Sequence, residues 1–140
     1  MSIPRFLSFF LLCLTLLTAA CKKDTTEPEP TLEGRWNFES MTEHSYQADG
    51  THIKAAPASM LPHYVVVTTT EFSAYHSADN TLIMKSGYTR QGNHIHFLNP
   101  SYSGDVTITE VSKQRLTMLS DKIPYGPQGG YLTLESTFTH

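Results

Sequence analysis

Hydrophobic and polar residues alternate along most of the chain beyond residue 31, and they recur at helical spacing for no more than a turn or two. In the first alternating segment, 32–40, Gly34, Trp36 and Phe38 share one face and polar side chains share the other. Successive side chains of a β-strand point to opposite faces of the sheet, so this segment is expected to be a strand buried on one side. The pattern predicts an all-β fold.

Seven further segments alternate in the same way or are rich in the β-branched and aromatic residues that favour strands. Turn-forming residues separate several of them, as at 79–80, 91–93 and 112–114. A bend is expected near Ser86 and Gly87, because a glycine inside a strand usually marks a bulge. The seven predicted strands are 64–69, 71–76, 82–90, 94–98, 105–111, 115–120 and 131–139.

Eight strands joined mainly by short turns predict an antiparallel up-and-down barrel, since closure leaves no sheet edge exposed. An open sandwich of two sheets is the alternative that the pattern leaves open. A barrel of eight strands has an interior that side chains fill or that holds one small ligand. The alternation predicts seven apolar residues on the inner face, where they would contact such a ligand: Phe38, Tyr88, Ile95, Phe97, Ile108, Met118 and Leu134.

The longest predicted connection is segment 41–63, between the first two strands. Long loops in compact domains are often lids or binding loops. Two interpretations remain open, a lid over the barrel mouth and a mobile loop without a ligand. One helical turn is expected over 55–60.

The opening Leu32, Gly34, Arg35 and Trp36 resembles the Gly-x-Trp start of lipocalin-like families, and the later spacing of turns and apolar residues is similar to lipid-anchored lipocalin-like domains of Gram-negative bacteria. The resemblance implies a barrel in which Gly34 and Trp36 are structural and Trp36 seals one end. In true lipocalins an arginine near the last strand packs on this tryptophan, and segment 131–140 contains none. The resemblance therefore concerns the architecture.

The N-terminus carries Arg5, an apolar run over 6–17 and small residues at 18–20, which is the order of a secretory signal peptide. The run is shorter than the roughly 20 residues that a membrane-spanning helix needs. Cys21 follows directly, and segment 17–21 resembles the lipobox that the lipoprotein signal peptidase cuts. The resemblance implies that residues 1–20 are removed and that Cys21 is lipidated. An ordinary secreted protein is the alternative.

Segment 22–31 contains Pro28 and Pro30 and no large apolar residue, so a flexible tether is expected there. The predicted organisation is a removed signal at 1–20, a lipidated cysteine and tether at 21–31, and one barrel domain at 32–140. Lys22 follows the cysteine where some Gram-negative lipoproteins have an aspartate for inner-membrane retention. We therefore expect a lipid anchor in the outer membrane, on either its periplasmic or its surface face.

Charge and motifs narrow the functional classes. Without Arg5, nine basic and thirteen acidic side chains leave a net charge of about −4 with no basic stripe, so nucleic acid is not an expected partner. His94 and His96 share one face of a strand, but Ile95 and Phe97 are the better core pair, which places the histidines outside without a metal. The chain contains no Gly-x-Ser-x-Gly, His-Glu-x-x-His or Cys-x-x-Cys motif, and neither an enzyme nor a cofactor is predicted.

Three functions follow from these observations. The first is a lipid-anchored barrel that binds a small apolar ligand in its interior. The second is an interaction or inhibitor module with a filled barrel and an envelope protein as its partner. The third is an enzyme of unknown class, which the motifs do not support.

The anchoring hypothesis is tested at Cys21. We expect Cys21→Ser to block lipid attachment and leave an unprocessed precursor, because the modified thiol and the cleavage point are lost together. Labelled palmitate incorporation measures this directly. Undiminished labelling of the variant would refute the lipobox interpretation.

Overall fold

The computed structural model describes residues 31–61, 63–99 and 104–140. The predicted signal segment 1–20, Cys21 and most of the predicted tether lie outside these residues. The described part of the chain is built from ten strands, namely β1 Gly34–Tyr46, β2 His52–Pro57, β3 His63–Val67, β4 Glu71–His76, β5 Leu82–Gln91, β6 His94–Phe97, β7 Val106–Val111, β8 Arg115–Ser120, β9 Ile123–Tyr125 and β10 Gly130–Thr139.

Eight of the ten strands close into an antiparallel barrel, in the order β1-β3-β4-β5-β6-β7-β8-β10. Pairing of β10 with β1, with Phe38 opposite Phe138, completes the ring. The predicted all-β, up-and-down, eight-stranded barrel is thereby confirmed, and the open sandwich is excluded. Each predicted strand corresponds to one barrel strand within a few residues, except that β1 continues well beyond its predicted end.

The inner face of the barrel carries one continuous apolar core. Register pairs such as Trp36 with Val65 and Val67 with Phe72 bring alternate side chains of neighbouring strands to the same face. Fully burying a side chain of this size contributes about 1.5–3 kcal/mol. The buried members of the core are Leu32, Trp36, Val65, Val67, Phe72, Ala74, Ile95, Ile108, Leu116, Met118 and Phe138.

Trp36 and its neighbours close the barrel end at which the chain enters. The Trp36 indole is fully buried, and its Nε1–H donates a hydrogen bond to the Leu32 carbonyl at 2.9 Å. The ring of His140 lies 4.1 Å from the indole, centroid to centroid, so a histidine rather than an arginine packs on this tryptophan. Gly34 has a φ of +138°, and a Cβ there would lie 3.1 Å from the His140 ring. Only glycine combines this backbone with such close packing.

At the opposite end, four strands continue beyond the barrel wall. The upper half of β1 pairs with β2 on one side and with β10 on the other, and β9 adds to β10. We call this sheet, in the order β2-β1-β10-β9, the four-stranded extension. It overturns the prediction of one long loop over 41–63 and of a helical turn over 55–60. Ala55 and Ala56 favour helices as isolated residues, but pairing with His44 and Glu43 of β1 holds them in a strand.

The bulges also differ from expectation. Ser86 and Gly87 pair in register with Phe72 and Glu71, so no bulge occurs there. Gly87 instead lies close to the Leu98 side chain, and a Cβ there would be 3.2 Å from its nearest atom. The β4–β5 irregularity lies nearer the mouth, beside Tyr75, and a second bulge in β1 separates Phe38 from Ser40. These positions carry no glycine, which explains why the sequence pattern did not indicate them.

The closed end provides a test of the core. Trp36→Ala should lower the free energy of unfolding by about 3–5 kcal/mol, because it removes a fully buried aromatic side chain. Urea unfolding followed by far-UV circular dichroism measures the loss. Tyr125→Ala, at an exposed tyrosine of the extension, is the matched control and should change stability by about 0.5 kcal/mol or less. Equal midpoints for the two variants would contradict the assignment of Trp36 to the core.

Candidate functional site

The centre of the barrel is filled by the side chains that were predicted to face it. Ile95 exposes none of its surface, Ile108 exposes 2% and Met118 exposes 6%. A side chain with no accessible surface has no space the size of a water molecule beside it. Ile95 therefore has no open space beside it, and Ile108 and Met118 are almost completely enclosed by the core.

Aromatic rings cover the core toward the barrel mouth. Phe38 stacks on His63 with ring centroids 4.4 Å apart, and Phe138 meets both rings edge-on at 5.9 Å. His63 is buried, and its Nδ1 lies 3.1 Å from the Leu61 carbonyl. The packing that begins at Trp36 thus continues to the level at which β3 starts.

The other predicted interior residues lie nearer the barrel ends. Phe97 is half-buried and packs edge-on against Phe72 at 5.4 Å. Tyr88 packs on the core at the closed end, where its hydroxyl donates to the Thr68 carbonyl at 2.7 Å. Leu134 lies where β10 passes from β8 to the extension, opposite Glu43 and outside the buried core. Most of the predicted set is therefore brought together, and Leu134 is not.

A groove lies at the tip of the extension, between the β1–β2 turn and the β9–β10 loop. It has a volume of about 710 Å³ and is open to solvent. Two large apolar side chains of the groove face the solvent, since Ile53 is 58% exposed and Tyr125 is 61% exposed. The other residues that line the groove are mainly polar or turn-forming, namely Tyr46, Gln47, Ala48, Asp49, Gly126, Pro127, Gln128 and Gly130.

Local hydrogen bonds shape the turn beside this groove. The Thr51 N–H donates to Asp49 Oδ1 at 2.8 Å, and this bond holds the pKa of the Asp49 carboxyl below its ordinary value. The Gly50 N–H donates to the Gln47 carbonyl at 3.0 Å, with a φ of +88° at the glycine. The groove therefore has a negative charge on its rim.

Side-chain contacts across the strands stiffen the extension. Tyr46 of β1 stacks on Tyr131 of β10 at 4.9 Å, and His52 of β2 meets Tyr46 edge-on at 5.2 Å. On the other side, Lys122 Nζ lies 4.5 Å above the Tyr131 ring. Aromatic pairs of this kind contribute about 0.5–1.5 kcal/mol each beyond their buried area. The row of contacts spans the sheet from β2 to the start of β9.

Two buried polar atoms of the same sheet have no hydrogen-bond partner in the described part of the chain, His44 Nε2 and Thr133 Oγ1. The two residues are directly opposite in the register of β1 and β10. Buried groups of this kind are normally satisfied by protein or by an ordered water.

His94 and His96 lie outside the barrel wall while Ile95 points inward, as predicted. Both histidines contact Asp105, with His94 Nε2 3.0 Å from Oδ2 and His96 Nδ1 2.7 Å from Oδ1. Partial desolvation raises the pKa of the Asp105 carboxyl. The hydrogen bonds and charges of the two imidazoles lower this pKa by more, so the net pKa lies below its ordinary value. Sequence reasoning did not predict the contacts of Asp105, because it lies nine residues from His96 along the chain.

Neither a metal centre nor a membrane-crossing helix is found over 31–61, 63–99 and 104–140. No group of three or more His, Cys, Asp or Glu side chains is arranged there to hold a metal ion, and no helix is long and apolar enough to span a bilayer.

Comparisons of the chain with known protein families, curated proteins and solved structures found no match.

The Asp105 contacts predict a pH-dependent contribution to stability. A carboxyl with a lowered pKa in the folded state stabilises it above the ordinary pKa of about 3.9, and that contribution is lost as the pH falls through the lowered value. Asp105→Asn should therefore be less stable than the original protein at pH 7, and the difference should shrink near pH 2. Urea midpoints at the two pH values measure this. Asp121→Asn is the control, and a pH-independent difference for Asp105→Asn would contradict the mechanism.

Proposed function

We propose that the protein is a lipid-anchored component of the cell envelope, in which a packed barrel supports a partner-binding surface on the four-stranded extension. The observation that carries the proposal is the filled interior. Trp36 at the closed end, and Ile95 and Leu116 in the core, have no accessible surface. Binding in this part of the barrel would have to displace packed side chains.

The energetics favour surface recognition over a cargo in the barrel. An apolar ligand gains about 25 cal/mol for each Å² it buries, but this gain becomes affinity only where a cavity is already open. Creating space in a packed core costs several kcal/mol for each large side chain moved. A carrier function would thus require a rearrangement of the residues around Ile95 and Ile108.

The groove at the extension tip has the composition of an interface. Tyrosine is enriched among the residues that dominate binding energy at protein interfaces, and Tyr125 is largely exposed here. Ile53 and Pro127 add apolar surface, while Asp49 and Gln128 form a polar rim. A protein segment with an apolar anchor and a hydrogen-bonding or basic flank would match this arrangement.

The position of the groove suits an anchored protein. The chain enters the barrel at Leu32, at the closed end, whereas the extension lies at the opposite end of β1. The thirteen residues of β1 cover roughly 40 Å at about 3.3 Å per residue. A lipid at Cys21 and the tether that follows would leave the groove free to face away from the anchoring membrane.

Site-specific photo-cross-linking tests this proposal. A photoreactive amino acid replaces Tyr125 in the full-length chain, and the matched control replaces Gln114, an exposed turn residue at the closed end. Of these two positions, only 125 lies in the groove. After irradiation of cells we therefore expect a cross-linked product of defined mass from position 125 and much less of this product from position 114. Equal products from both positions, or none from 125, would contradict the proposal.

A ligand titration separates the carrier function from surface recognition. The chain from Lys22 onward, without lipid, is titrated with an environment-sensitive fatty-acid probe whose emission is followed. The packed interior predicts no saturable binding. Saturable binding that weakens in a folded Phe97→Glu variant would instead support the carrier function.

A further inference from the structure

The outer edge of β2 carries backbone groups that no described strand covers. In the described part of the chain β2 pairs with β1 alone. The Ala58 N–H donates to the Met41 carbonyl at 2.9 Å, and the β1–β2 register places these two residues directly opposite each other. They therefore form a hydrogen-bonded pair of the antiparallel ladder.

The alternation of such pairs fixes the direction of the other backbone groups. Opposed residues in an antiparallel ladder are hydrogen-bonded and non-hydrogen-bonded in turn. Ala58 bonds to β1, so Ala56 and Lys54, two and four residues before it, bond to β1 as well. Ala55 lies between them and directs its N–H and C=O toward the free edge. The Pro57 carbonyl points the same way. A row of groups in this arrangement is complemented by another extended strand.

We propose that β2 pairs antiparallel with β2 of a second copy of this chain, about a two-fold axis at Ala55. Each Ala55 then donates its N–H to the Ala55 carbonyl of the other copy and accepts the same bond in return. In this register Lys54 lies opposite Ala56. Ile53, which the register shift between the Ser45–Lys54 and Tyr46–His52 pairs leaves unpaired with β1, then lies beside Pro57 of the other copy. The interface is isologous and therefore closes as a dimer.

The side chains of β2 suit this self-pairing. The lysine, the only charged residue of the strand, faces a small alanine, so no like charges are directly opposed. Ala55 is exposed and small enough for two backbones to approach at the axis. The exposed Ile53 gains a proline ring as its neighbour, and Pro57, which has no N–H, contributes only its carbonyl.

The other edge of the extension is less suited to a partner strand. There β9 has only three residues, Ile123–Tyr125, and its middle residue is Pro124. A proline in that position removes a donor from an already short edge. The proposed pairing is thus specific to β2. It shares Ile53 with the tip groove, but its backbone hydrogen bonds involve neither the groove nor the lipid anchor.

Disulfide trapping in the full-length chain tests the proposed register. Two directly opposed Ala55 positions have Cα atoms about 5.5 Å apart, which is within disulfide range, so Ala55→Cys should give a covalent dimer under mild oxidation. Ala56→Cys is the matched control, since in this register it lies opposite Lys54 and more than about 7 Å from its own copy. We expect at least about tenfold more dimer from position 55 than from position 56 on non-reducing gels.

The unsubstituted chain reports any bridging through Cys13 or Cys21, and its dimer fraction is subtracted. Absence of a dimer from Ala55→Cys, equal dimers from both variants, or a heavier product containing another protein would each overturn the proposal. A second variant avoids thiols altogether. Ala55→Pro removes the outward N–H but no bond to β1, so it should abolish most of the dimer seen by sedimentation while circular dichroism is unchanged. A dimer that survives this substitution would also overturn the proposal.

Discussion

Closure of β1 against β10 is the constraint on which the rest of the structure depends. The two strands pair from Asn37 with Thr139 to Tyr46 with Tyr131, along almost their whole length. The lower part of this ribbon completes the barrel, and the upper part forms the centre of the four-stranded extension. The extra residue between Phe38 and Ser40 marks the transition, since a bulge bends a strand and increases its twist. One continuous ladder thereby connects the core with the surface that we propose to bind partners.

Packing at both barrel ends explains why the surface is favoured as the functional site. Trp36 and His140 close the end at which the chain enters, and the rings of Phe38 and His63 cover the core toward the mouth. The interior then acts as a scaffold that holds the register of the strands. Exposed apolar side chains concentrate instead on strand ends and loops, among them Ile53 and Tyr125 of the extension. A cluster of exposed apolar side chains is typical of an interaction surface, whereas packing in the core already explains the positions of the buried ones.

Alternation alone was sufficient to predict the barrel strands, the inward side of Ile95 and the outward side of His94. It failed where pairing rather than composition decides the structure. β2 has the sequence His-Ile-Lys-Ala-Ala-Pro, which lacks alternation, and it is a strand because the long β1 offers it a ladder. Leu134 has the inward parity but lies beyond the barrel wall, which no local pattern indicates. Asp105 contacts two histidines that lie nine and eleven residues from it along the chain, a separation at which alternation carries no information.

The row of rings across the extension bears on how tightly any partner can bind. A mobile loop must be ordered when it binds, at roughly 0.5–1.5 kcal/mol for each immobilised side chain. Here Tyr46, Tyr131 and Lys122 already restrict one another in the folded protein. The β2 edge and the tip groove therefore hold a fixed position relative to each other. Much of the side-chain entropy has already been lost on folding, so less is lost when a partner binds. Because the extension is rigid, β2 cannot shift to suit a partner strand. The backbone groups of the partner must already have the spacing of those on β2, and a second β2 strand meets this requirement.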